Sequence, residues 1–215
     1  MDRAELLVRL GEVAREQAGY VTSAQASELG LDTHDLVRLA DQQDLRRVAW
    51  GIYALPGIFP GPREPTIAAW LRLVGSRLPW IPATPPAVAS HATAAGLRHL
   101  GTFQDDVPTF TVAKRRNQPS DNSLHIHVTK LDPADWGWED MPEGIRLAVT
   151  TPARTIVDLA WAGEDHDHVV DAMDEALSAD LTTSDELWQA LDRRQRRGGR
   201  GKGAWLARAL DPRSG

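Results

Sequence analysis

Apolar positions in residues 3–18 recur at helical spacing, with Leu6, Leu7, Leu10, Val13 and Ala14 on one stripe and Gly19 where a helix would stop. A short second helix follows: Thr22 or Ser23 suits its N-cap, Gln25 stands three residues after Thr22 as in a capping box, and Gly30 closes it. After the tight connector Leu31-Asp32-Thr33, Thr33 is expected to cap a third helix. Its Leu36, Val37, Leu39 and Ala40 read as facing inward and its His34, Asp35, Arg38, Asp41 and Gln42 outward. From Leu45 the period becomes that of strands, and LRRVAWGIYALPG groups β-branched and aromatic residues around Gly51. Helix, short helix, turn, helix and hairpin in this order predict a winged helix-turn-helix over residues 1–56.

The stretch PGIFPGPREP is too rich in proline and glycine to be helix or central strand, so a linker and domain boundary are expected at 57–65. In the second domain, 66–215, Thr66 caps an apolar helix through Leu78 and a proline-rich break covers 79–86. SHATAAGLRHLG then reads as a helix with Ser90 as cap and Gly101 as stop. Strand-like runs fall at 109–114, 124–131 and 145–150. The last leads into TPARTIVDLAWAG, where Thr151 caps a helix and Pro152 takes its first position. Further helical patterns lie at about 166–179, 184–197 and 203–210. Strands mixed with helices, without strict βαβ alternation, give an α+β fold class: a winged helix-turn-helix, then a mixed α/β domain ending in a helical, basic tail.

A length of 215 residues suits two such domains, and 42% hydrophobic with 25% charged residues is enough to build a core in each. The absence of cysteine removes disulfides, thiolate catalysis and cysteine-based zinc sites, and suits a reducing compartment. The opening MDRAELLVRL reads as neither signal peptide nor anchor, so a cytoplasmic protein without a membrane partner is expected. The net charge of −6 argues against a nucleic-acid partner only if charge is evenly spread. Residues 193–215 hold eight of the 24 basic side chains and one acid. Screening over about 8–10 Å lets such a patch bind phosphate despite distant acids.

A helix presented across a tight turn fits the major groove, where Arg38, Gln42 and Gln43 have side chains suited to base edges and Arg46 and Arg47, at the start of the wing, to phosphates. Asp35, Asp41 and Asp44 oppose this by repelling phosphate. The competing reading is therefore a protein-docking module that neutralises its partner without sequence-specific DNA binding. In the tail, Arg193, Arg194, Arg196, Arg197, Arg200 and Lys202 point to a DNA backbone first and to the acidic middle of the same chain next. His125 and His127 alternate on one strand face, near enough in type to His91, His166 and Asp167 to raise a metal site. A half-exposed strand explains them more simply, so no metal is assigned. Arg154 and Asp158 are spaced for an i,i+4 ion pair worth about 0.3–0.5 kcal/mol if exposed. Asp171, Asp174 and Glu175 read as the solvated face of an amphipathic helix. Gly75-Ser76 is not followed by the aspartate pair of a nucleotidyltransferase. With no phosphate loop, nucleophile elbow or helical His-Glu-x-x-His, neither an enzyme nor a cofactor is expected.

The run GYVTSAQASELGLDTHDLVRLADQQDLRRVAWGIYAL resembles the N-terminal winged helix of the AbiEi antitoxins of type IV, abortive-infection toxin–antitoxin operons. SHATAAGLRHLG is similar to that family's serine-histidine helix, and TTPARTIVDLA to its threonine-proline-x-arginine-threonine helix start. The resemblance implies a winged helix that represses its own operon at operator DNA with inverted repeats. It also implies a second domain that opposes a nucleotidyltransferase-type toxin encoded next door, with direct contact left open. By position it carries DNA reading to His34, Arg38, Gln42, Arg46 and Arg47, and the antitoxin-domain motif to Ser90, His91, Thr151, Pro152, Arg154, Thr155 and Asp158. Some relatives continue past a basic segment into a repair-endonuclease-like domain, whereas this sequence runs to DPRSG.

Overall fold

The computed structural model describes residues 3–76, 84–103, 106–115, 121–196 and 203–210. The chain divides into two compact units, Met1–Ala87 with Glu139–Leu147, and Val88–Trp138 with Ala148–Gly215.

Unit 1 contains α1 (Arg3–Arg15), β1 (Tyr20–Thr22), α2 (Ser23–Glu28), α3 (Thr33–Asp41), β2 (Arg46–Ala49), β3 (Ile52–Ala54) and α4 (Glu64–Val74). Its sheet is antiparallel in the order β1-β3-β2, which makes this a winged helix-turn-helix. The core joins Leu6, Leu10 and Ala14 of α1 to Val21, Leu36, Leu39, Leu45 and Tyr53. β1, three residues long, was hidden in what read as a loop between helices. It is held by the buried Gln17, which donates to the Tyr20 carbonyl at 3.1 Å and exchanges side-chain amide bonds with buried Gln25 at 3.0 and 2.8 Å. The Thr22–Gln25 capping box forms as its spacing predicts.

Two local expectations change. Asp32, not Thr33, caps α3: its carboxylate accepts from the Asp35 N–H at 2.8 Å and the Asp35 carboxylate accepts from the Asp32 N–H at 3.2 Å. Val37 faces out at 42% exposure, because Leu36 and Leu39 define the buried stripe and Val37 lies about 100° around the helix from Leu36. A third change concerns the boundary. α4 starts at Glu64, with Pro65 in its first turn, and belongs to unit 1 rather than to the second domain assigned from sequence. Tyr20 donates its hydroxyl to Glu64 at 2.9 Å and Thr22 donates to the Gly75 carbonyl at 2.9 Å, tying both ends of α4 to the winged helix.

The remaining elements are β4 (Val88–Ala89), α5 (His91–Arg98), β5 (Thr109–Val112), β6 (His125–Val128), a 3₁₀ turn (Pro133–Asp135), β7 (Trp136–Asp140), β8 (Arg146–Thr150), α6 (Pro152–Ala162), α7 (His166–Ser178), α8 (Ser184–Arg196) and α9 (Ala204–Ala209), all of unit 2 except the end of β7 and the start of β8. The mixed sheet runs β6-β5-β4-β8-β7, with β4 antiparallel to β5 and parallel to β8, and β5 parallel to β6. The fold class is therefore α+β, as expected. α6 is buried along almost its whole length, and Ile156, Val157, Leu159 and Ala160 meet apolar residues of α5, α7, α8 and α9. Among the described residues no helix is long and apolar enough to cross a membrane.

Candidate nucleic-acid interface

The outward stripe of α3 presents Thr33, His34, Val37, Arg38 and Asp41 to solvent. The Arg38 guanidinium pairs with Asp35 at 2.9 Å, but its side chain is 62% exposed, and an exposed pair of this kind is weak enough to exchange for a phosphate or a base edge. Gln42 ends the helix. Gln43 takes a left-handed conformation, φ 61°, that turns the chain toward the wing. An open groove of about 500 Å³ follows, lined by Val37, Asp41 and Gln43 on the helix side and by Arg47 and Tyr53 on the wing side. His34, Arg38, Gln42, Gln43 and Arg47 are all exposed, as a DNA-reading surface needs.

Arg46 is different. Its guanidinium forks onto Glu64 at 2.5 and 3.0 Å and also donates to the Ile58 carbonyl at 3.4 Å. Glu64 in turn accepts from Tyr20. The hydrogen bond from Arg46 holds the Glu64 carboxyl below its ordinary range, while burial, aided by Glu64, pushes the Tyr20 phenol up to about 12. Arg46 thus fastens α4 to the wing, and the phosphate role expected for it is not what its contacts serve.

Sequence reasoning missed Trp50. It stands at the wing tip with 66% exposure, and the Arg72 guanidinium of α4 lies 5.5 Å from its ring centroid. Gly51 beside it makes the turn at φ 73°, and its carbonyl accepts from the Ser23 N–H at 2.8 Å, which fixes the tip against α2. The signal was present as a Trp-Gly pair within the strand-like run from Leu45.

The tail arginines part company at the end of α8. Arg193 donates from Nε to Asp135 at 2.8 Å, and Arg194 lies 3.8 Å from Asp158 and over the Trp161 ring. Both serve the acidic interior of unit 2, the second of the two roles expected for the tail. Arg196 is exposed and pairs with Asp192. Arg197, Arg200 and Lys202 lie outside the described residues.

Two motif residues of unit 2, Arg154 and Asp158, lie in a buried charge cluster. Arg154 and Asp158 are each 1% exposed, so the weak surface pair expected from their spacing is instead an interior one. Arg154 donates to Asp135 at 2.9 Å, and its other terminal nitrogen lies 2.8 Å from Asp158. Burial works against the Arg154 charge, but Asp158 and Asp135 outweigh it and hold the proton more firmly than usual. Asp135, fully buried in the 3₁₀ turn, gave no sign in the sequence. Thr151 caps α6 through the Arg154 N–H at 3.3 Å with Pro152 in its first turn, as expected, and Thr155 bonds Thr150 at 2.7 Å.

Ser90 occupies the N-cap position of α5, yet its hydroxyl makes no capping bond. It accepts from Thr111 at 2.9 Å and meets His91 Nδ1 at 2.9 Å. His91 stacks on His127 with ring centroids 4.0 Å apart. Burial pulls its pKa down to about 4 and lowers that of His127 as well. Among the described residues no three metal-ligating side chains are placed to hold an ion.

Residues 8–56 match the model of a family described as transcriptional regulator, AbiEi antitoxin. That match spans the winged helix from α1 to β3. No curated protein matches the chain. Among solved structures, the crystal structure of the RV2827C protein from Mycobacterium tuberculosis is similar, with a TM-score of 0.57 at 16% identity over 96% of this chain and 75% of that one. At that identity the likeness is one of fold.

Proposed function

We propose that this chain represses its own operon through the winged helix and, through unit 2, opposes a nucleotidyltransferase-type toxin encoded beside it. The supporting observation is the exposed surface of α3 and the wing, where His34, Arg38, Gln42, Gln43 and Arg47 stand out from a module matched to a family of transcriptional regulators. Arg38, Gln42 and Gln43 supply the forks and amides that base edges recognise, and Arg47 meets backbone phosphate. Two copies reading inverted half-sites would set the operator's symmetry. The exposed Arg196 at the end of α8 would add a phosphate contact.

An electrophoretic shift with the chain's own upstream DNA, run beside scrambled DNA and a promoter reporter, tests repression. A sequence-dependent shift with reporter silencing is expected. Co-expression with the neighbouring toxin tests the second role, and restored growth is expected. The acids Asp35 and Asp41 on α3, together with the commitment of Arg46 to Glu64, favour one second reading, a surface that docks protein. Growth rescue without any shift would select it.

A further inference from the structure

The middle of α3 exposes a side chain that the fold of unit 1 does not account for. Leu36 and Leu39 bury the inner stripe, whereas Val37 lies outside it at 42% exposure, among exposed Thr33, His34, Arg38 and Asp41. A β-branched side chain loses rotamer freedom in a helix, and an apolar one left in water gains no burial, so long polar residues suit such a position better than valine. Val37 and Asp41 stand one helical turn apart on the same ridge. Both line the groove of about 500 Å³ that α3 forms with Arg47 and Tyr53 of the wing.

The two acids of α3 differ in the same way. Asp35 is occupied, accepting from the Asp32 N–H and pairing with Arg38. The Asp41 carboxylate has no ion pair or hydrogen bond among the described residues, and toward backbone phosphate it is repulsive. The edges of the major groove offer what both residues lack. Thymine displays an apolar C5-methyl there, and cytosine an N4 amino donor that a carboxylate accepts. The amino group of adenine stands beside the N7 acceptor, which repels a carboxylate. Four helical residues rise about 6 Å and base pairs stack about 3.4 Å apart, so the turn from Val37 to Asp41 spans one or two base steps.

We propose that Val37 and Asp41 are specificity-determining residues of α3: Val37 packs on the methyl group of a thymine, and Asp41 accepts from the amino group of a cytosine one or two base steps away. The inference rests on the operator binding proposed above and names what that surface reads. Neither residue attracts the DNA backbone, and Asp41 weakens binding to any sequence that offers it no donor, so the pair supplies discrimination rather than strength.

Uracil interference with the full chain on its own upstream DNA tests the thymine contact, because uracil lacks only the C5-methyl. One thymine in each half-site should interfere when replaced, at a loss of about fourfold in affinity, the worth of one buried methyl group. In Val37→Ala the same uracil should cost nothing, and the melting temperature should stay that of the unaltered chain, since the side chain is exposed. Asp41→Ala tests the second contact. Its affinity for random DNA should rise as a repelling charge is lost, while its preference for one C·G pair over the alternatives falls about tenfold. An acid that only repels would let operator and random DNA gain equally, with discrimination kept. A sequence-dependent shift in which no thymine is sensitive to uracil, in which Val37→Ala keeps that sensitivity, or in which Asp41→Ala keeps its discrimination overturns the proposal and leaves operator binding standing. No sequence-dependent shift by the unaltered chain overturns operator binding, and this reading with it.

Discussion

Asp135, which the sequence did not single out, receives both Arg154 and Arg193 while fully buried. Neutralising it leaves Arg154 with less compensation in a dry interior. Asp135→Asn should therefore destabilise the chain by about 3–5 kcal/mol, read as a lower urea midpoint at unchanged slope. His91 supplies a pH dependence. Its pKa falls from 6.5 to about 4 on folding, so between those values the unfolded chain binds more protons and stability drops as the pH is lowered. Urea midpoints taken in phosphate-free buffer from pH 7 to 4 should show a loss of up to about 3 kcal/mol, and His91→Gln should remove that part of the slope. An identical profile in wild type and variant would mean that His91 titrates normally. Glu64 adds a loss at lower pH, since its depressed carboxyl favours the folded state only above its ordinary range.

At the scale of elements, Arg46 and Arg47 are neighbours with separate tasks. Arg47→Ala should reduce the salt dependence of operator binding by about 0.9 in log–log slope, the signature of one lost phosphate contact, without changing the melting temperature. Arg46→Ala should do the reverse, lowering stability by about 1–3 kcal/mol as Glu64 loses its fork partner, with little change in salt slope. Trp50→Ala at the wing tip should weaken DNA binding about fivefold, through loss of a flat apolar face beside the Arg72 cation, while the fold is retained. These contrasts also explain what the sequence disclosed. The Thr22–Gln25 box and the Thr151-Pro152 start depend on partners three residues away, and both were legible. The same local logic chose Thr33 over Asp32 as a cap, since adjacent residues offered equivalent oxygens. Tyr20 and Glu64 are 44 positions apart and Arg193 and Asp135 are 58 apart, and no periodicity records such pairings. The motif residues around Arg154 were found through family resemblance, but their burial, which turns a surface pair into an interior network, was not.

For the molecule as a whole, α4 decides where the winged helix can be cut. A fragment ending at Ser76 keeps the bonds of Tyr20 and Arg46 to Glu64 and of Thr22 to Gly75, and one ending at Pro62 loses them all. The longer fragment should melt higher by several degrees and shift operator DNA at lower concentration, as thermal denaturation and gel shift would report. Equal melting would show that α4 adds nothing. Unit 1 also includes Glu139–Leu147, so its residues are not contiguous along the chain. Synthesis delivers the parts proposed for the two roles at different times. At roughly 5–20 residues per second, the reading helix and wing emerge several seconds before the arginine of α6 and longer still before those of α8. Under the function proposed above, a message cut short in that interval would yield a repressor without the buried charge cluster, and an operon translated from broken messages would silence its own supply of antidote.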